Sequence, residues 1–108
     1  MFIRILAVVL SLAAAACGGP TTFSCNLPSM HQCSTISVVG GTLTSTTCSG
    51  TVVDSCPTAG VLGRCTIVMA VTGVANATQT SVADYYAGAN LPQAQAGCTG
   101  AMGTWTTP

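Results

Sequence analysis

The sequence predicts a small disulfide-rich α+β domain, with short antiparallel strands, a central hairpin and one or two short helices. Three observations carry that reading. Seven cysteines stand in 108 residues. β-Branched, alternating runs recur between glycine-rich turns, which is the pattern of short half-buried strands. One segment, Asn90–Cys98, is rich in alanine and glutamine and reads as a helix.

The central hairpin is the clearest element. Across Val61–Val71, Cys65, Ile67, Met69 and Val71 alternate with Arg64, Thr66, Val68 and Ala70, which gives a strand with one better-buried face. Residues Thr72–Asn76 supply a turn, and Thr78–Tyr86 returns as the partner strand. Its Val82, Tyr85 and Tyr86 also fit helical spacing, but the β-branched content favours a strand. The helix follows. Asn90 can accept from the first turn, Pro92 is tolerated there, and Gly100 and Gly103 end it. Residues Thr104–Thr106 then read as a terminal strand.

The front half repeats this plan more weakly. Thr35–Val39 alternates as a strand and Gly40-Gly41 turns the chain. Thr42–Cys48 reads as a short helix, poor because of its threonines, and Thr51–Val53 returns as a strand. Cys48-Ser49-Gly50-Thr51 and Cys98-Thr99-Gly100, with Thr104 further on, look alike. These are the marks of a weak internal duplication into two strand–helix–Cys–Gly–strand units.

Residues 1–16, MFIRILAVVLSLAAAA, form a secretory leader: Arg4 first, then an apolar run, then small residues at a cleavage site. As a helix, the twelve residues of that run would extend only about 18 Å, too short to span a bilayer. The leader ends on Ala14-Ala15-Ala16-Cys17, which resembles the lipobox of bacterial lipoproteins. That resemblance implies acylation of Cys17, with Gly18 after it pointing to the outer membrane. Ala14 stands where leucine is usual, so ordinary leader cleavage remains an alternative. Residues 17–24 are then a lipidated cysteine and flexible tether, and 25–108 the folded domain.

Cysteine counting agrees. With Cys17 given to lipid, six remain, enough for three disulfides in an oxidising compartment. If the duplication pairs each strand cysteine with its own unit's helix cysteine, the bonds are Cys33–Cys48 and Cys65–Cys98. Cys25–Cys56 is left over. The domain needs such staples. Beyond the leader there are only 22 apolar side chains larger than alanine, cysteines aside, and so small a core is marginal.

Composition excludes several functions. The chain has two arginines, two aspartates and one histidine, with no lysine or glutamate. Two arginines cannot build a phosphate-binding face, so no nucleic-acid partner is expected. Asp54 and Asp84 are the only carboxylates available for a catalytic pair, and they read better as surface or turn residues. His31 lacks a nucleophile elbow or oxyanion loop to complete a hydrolytic triad. The shortest cysteine spacing is eight positions and His31 is alone, so no metal, cofactor or redox motif is present. Arg64 is expected to pair with an aspartate. The sequon Asn76-Ala77-Thr78 carries no weight in a bacterial lipoprotein. No enzymatic activity is expected.

Further motifs carry a family resemblance. Cys56-Pro57, Gly63-Arg64-Cys65, Tyr85-Tyr86, the Ala94-to-Cys98 helix end and Gly103-Thr104-Trp105 resemble uncharacterised small cysteine-rich lipoproteins of myxobacterial type. The likeness covers most of residues 33–105. It implies export and a compact disulfide domain, and transfers no active site. The expected role is a membrane-anchored structural or interaction module of the envelope, with an envelope protein or glycan as partner. Two alternatives stand beside it. Tyr85, Tyr86 and Trp105 could form an aromatic platform for a glycan or small ligand, unless they are core residues. A protruding cysteine-flanked loop at Ser49–Ser55 would instead suit an inhibitor of a secreted enzyme.

Overall fold

The computed structural model describes residues 21–43 and 46–108. The leader, Cys17 and the first part of the tether lie outside the described residues. Six strands form one antiparallel sheet: β1 (Thr22–Leu27), β2 (Gln32–Val39), β3 (Thr51–Val53), β4 (Gly63–Ala70), β5 (Thr78–Tyr85) and β6 (Thr104–Thr106). Their order across the sheet is β3-β1-β2-β5-β4-β6. One helix, α1 (Leu91–Gly100), and a 3-10 turn at Pro28–Met30 complete the described elements. Among the described residues the fold is therefore mostly sheet, with one of the one or two expected helices.

The β4–β5 hairpin, α1 and β6 fall where the sequence placed them. Asn90 caps α1, its side chain accepting from the Gln93 amide at 3.2 Å, and Pro92 occupies the first turn. Two expectations change. The tether ends sooner than residue 24, because β1 already begins at Thr22. The expected helix at Thr42–Cys48 is not formed at Thr42, Leu43 or 46–48; residues 44–45 lie outside the described residues. Four threonines and a serine in that stretch compete for backbone groups and disfavour a helix.

The strand register shows how the halves relate. In the first half, β1 pairs with β2 through Cys25↔Ser34 and with β3 through Cys25↔Val52. In the second, β4 pairs with β5 through Cys65↔Ala83 and with β6 through Cys65↔Trp105. Both halves are thus a hairpin followed by a short strand on its outer edge. At the centre, β2 pairs with β5, and the residues opposite each other include Ser34 and Ala83, which hold equivalent positions in the two halves. A pseudo-twofold axis therefore passes between Ser34 and Ala83, normal to the sheet. The halves differ in hairpin length. Leu27↔Gln32 closes the first, whereas the equivalent pair Ile67↔Ser81 is followed by three more, ending at Ala70↔Thr78.

The disulfides follow the same symmetry. Cys65 bonds Cys98 of α1, the pairing expected, and Cys25 bonds Cys48, its counterpart. Cys33 bonds Cys56. The expected Cys33–Cys48 and Cys25–Cys56 bonds are thus exchanged. Side-chain alternation explains the exchange. Cys25 sits opposite Ser34, so Cys33, one residue earlier, points to the other face. Cys25, Cys65, Cys48 and Cys98 meet on one face, and only Cys33 remains for Cys56 on the opposite one.

Sulfur makes much of the core. Among the described residues, the buried apolar ones are Cys25, Cys33, Val38, Leu43, Cys65, Ala77 and Cys98, and Cys33 is fully buried. Cys98 is the one buried residue of α1. The disulfide, rather than an apolar helix stripe, fixes that helix to the sheet.

Candidate functional site

Alternation along β5 and β6 places Tyr85 and Trp105 on the face that carries α1, since Cys65 is opposite Trp105 and Gly63 opposite Tyr85. Their ring centroids are 5.6 Å apart with planes tilted by 38°. Both are half-buried. Glycine at 63 is what lets this pair form, because a Cβ there would overlap the six-membered ring of Trp105. Burial raises the Tyr85 phenol above its ordinary value.

Tyr86 does not join them. Its amide donates to the His31 carbonyl at 2.9 Å and its hydroxyl donates to the Pro57 carbonyl at 2.7 Å. It thereby ties the segment after β3 to the β1–β2 turn, and lines a shallow cleft of about 240 Å³ with His31, Pro28 and Pro57. Burial and the nearby Asp84 carboxylate raise its phenol, and the Arg64 cation partly offsets them. The three aromatic residues therefore form two sites rather than one platform.

Beside Tyr85, a cleft of about 310 Å³ runs between the sheet and α1, lined by Gln32, Ser34, Ser81, Ala94 and Gly97 among others. It offers an aromatic ring, an amide and two hydroxyls next to the Cys65–Cys98 bond, the mixture suited to a small polar ligand. Gln32, Ser34 and Ser81 were not singled out from sequence. Their signal was parity alone: they alternate onto the face that α1 covers.

The titratable residues are dispersed. Asp84 is buried, and both its oxygens accept from Arg64, from Nε to Oδ1 and from Nη2 to Oδ2 at 3.2 Å. This is the expected pairing of Arg64 with an aspartate. That hydrogen bond and the charge of Asp84 hold the guanidinium pKa above its ordinary value. Asp54 is exposed. His31 adopts a left-handed conformation (φ 53°) at the end of the 3-10 turn, with its ring against Gly88. Among the described residues, no group of three His, Cys, Asp or Glu side chains is placed to hold a metal. No described helix is long and apolar enough to cross a membrane. The Ser49–Ser55 stretch is not a protruding loop, because β3 occupies its middle and pairs with β1.

Comparison with known proteins found no matching family model, no matching curated protein and no matching solved structure.

Proposed function

We propose that this chain is an exported, non-enzymatic interaction module, lipidated at Cys17 and held on the outer membrane. The observation that carries the reading is the set of three disulfides, one joining each outer hairpin strand to the chain beyond its hairpin and a third on the opposite face. Such a framework forms and persists in an oxidising compartment. The Arg4-led leader and Ala14-Ala15-Ala16-Cys17 supply the route there. Several acyl chains on Cys17 would make anchoring durable, since one chain alone binds membranes only marginally. Replacing Cys17 with alanine tests this. The variant should lose incorporated palmitate and move from the membrane to the soluble fraction; continued membrane partition would overturn the reading.

A second reading rests on the cleft beside Tyr85 and Trp105. It makes the module a binder of a small polar ligand such as a glycan. Trp105 is the only tryptophan, so its fluorescence would report occupancy. A concentration-dependent, saturable change with a cell-wall oligosaccharide supports that reading. An unchanged spectrum across a panel of envelope glycans rejects it.

A further inference from the structure

We infer that the seam between β2 and β5, on the α1 face, binds a neutral linear oligosaccharide lengthwise, resting on the glycan reading of the cleft beside Tyr85 and extending it from a small ligand to a chain. That cleft does not end at Ser81. Register stacks four rows of side chains along the seam: Gln32 with Tyr85, Ser34 with Ala83, Ile36 with Ser81, and Val38 with Gln79. Ser81 lines the cleft beside Tyr85. Its cross-strand partner Ile36 lines a second cleft of about 230 Å³, together with Gln79, Phe23 and Leu43. Residues directly opposite on one face of a sheet are immediate neighbours, so the two clefts meet at this pair and make one trough. α1 packs mainly on β4 and β6, and of the eight seam residues only Val38 is buried. At about 3.3 Å per residue, the stretch of β2 from Gln32 to Val38 gives the trough a length of about 20 Å. A single sugar would leave most of it empty.

The chemistry of the rows specifies the occupant. Each row sets one hydrogen-bonding side chain beside one apolar surface: Gln32 beside the Tyr85 ring, Ser34 beside Ala83, Ser81 beside Ile36, Gln79 beside Val38. Polar side chains turned toward the covered side of a sheet are unfavourable unless something uses them. Gln32 Nε2 donates to Ser34 Oγ at 3.2 Å, but among the described residues no group hydrogen-bonds the side chain of Ser81 or Gln79. A sugar ring carries the matching pair of surfaces, hydroxyls at its edge and C–H groups on its face. A linear glycan repeats that pair along one direction, as the rows do.

The same seam excludes other occupants. No ionised side chain lines either cleft, and parity puts Arg64 and Asp84 on the opposite face, so the ligand is uncharged. A peptide added as a strand needs an unpaired sheet edge. β2 and β5 are inner strands with both edges paired, so the trough offers side chains alone.

The test uses the full exported chain in detergent, with chitin and cellulose oligomers from the disaccharide to the hexasaccharide as linear, uncharged probes. Calorimetry should show affinity rising roughly tenfold or more from disaccharide to tetrasaccharide in one of the series, as further rows gain hydrogen bonds. The saturating change in Trp105 fluorescence should be the same for both lengths, because the indole neighbours only the Tyr85 end. Ser81→Ala and Gln79→Ala should each weaken the tetrasaccharide by about fivefold, and leave the disaccharide and the three disulfides unaffected. Should Gln79→Ala expose free thiols, Ser81→Ala, which removes a single oxygen, decides alone. Equal affinity for disaccharide and hexasaccharide, with the Trp105 response intact, overturns the lengthwise site and leaves the glycan reading standing. Variants that weaken both lengths alike overturn it too, as does tighter binding of an uncharged peptide than of any oligomer. Absence of binding at every length overturns both.

Discussion

Gly63 is a residue whose side chain is specified by its neighbour. Trp105 lies where a Cβ on residue 63 would project, so Gly63→Ala must displace the indole or bend β4. Overpacking of this kind costs about 1–3 kcal/mol, which in a domain of this size lowers Tm by at least about 4 °C. The melt can be followed by Trp105 fluorescence, and an unshifted Tm would show that the ring moves freely. The tyrosines give a second prediction. Both phenols are raised above the ordinary value of 10.0. A raised acid leaves stability intact below the unfolded pKa and removes it as pH climbs through the folded one. The fold should therefore hold to about pH 10 and weaken above it, with absorbance titration placing both phenols later than free tyrosine. Arg64→Gln removes the cation that partly lowers Tyr86. Its titration should move further up while that of Tyr85 stays.

At the scale of elements, the disulfides separate two contributions to stability. Cys25–Cys48 and Cys33–Cys56 have the same sequence separation, 23, so the entropy each removes from the unfolded chain is nearly equal. They differ in the folded state. Cys48 and Cys56 are both partly exposed, but Cys33 has no exposed surface and sits opposite the buried Asp84, whereas Cys25 keeps 9% of its surface. Replacing either pair by alanines should cost about 2–5 kcal/mol, and the Cys33/Cys56 replacement should be the costlier in urea unfolding. Equal losses would mean that the unfolded chain accounts for the whole effect.

The same bonds show what was legible in the sequence. Cys65–Cys98 could be read because β4 and α1 are strong local patterns. The other two could not, because Thr22–Ser24 continue the small, polar stretch from Gly18 and read as tether, although Phe23, Cys25 and Leu27 alternate with polar residues along β1. Without β1, the first half lacked the strand whose cysteine corresponds to Cys65, and Cys33 was put in its place. Strand pairing and parity, which are tertiary facts, decide that assignment. They also hid Gln32, Ser34 and Ser81 of the cleft, and they separated Tyr86 from Tyr85 although the two are adjacent.

Across the whole molecule, parity sorts the polar residues as well. Register places all eight strand threonines, at 22, 35, 51, 66, 78, 80, 104 and 106, on the face opposite α1. An antiparallel sheet with one covered face normally solvates the other with charged and polar side chains. This chain, with formal net charge zero and only four charged residues, uses threonine, whose methyl and hydroxyl suit a strand and water together. Outside the part that Cys56 covers, the consequence is a surface that is wetted but not repulsive, and neutral proteins associate readily. Thr22 and Thr78 are exposed on this face. The double substitution Thr22→Lys/Thr78→Lys should therefore raise solubility, read as a higher polyethylene glycol concentration at the precipitation midpoint. Stability should change by no more than about 0.5 kcal/mol per site, as for surface positions without special contacts. A larger loss of stability at either site would show that the threonine is held by contacts the fold requires. Unchanged solubility would show that neutrality of this face is not what limits the protein in solution.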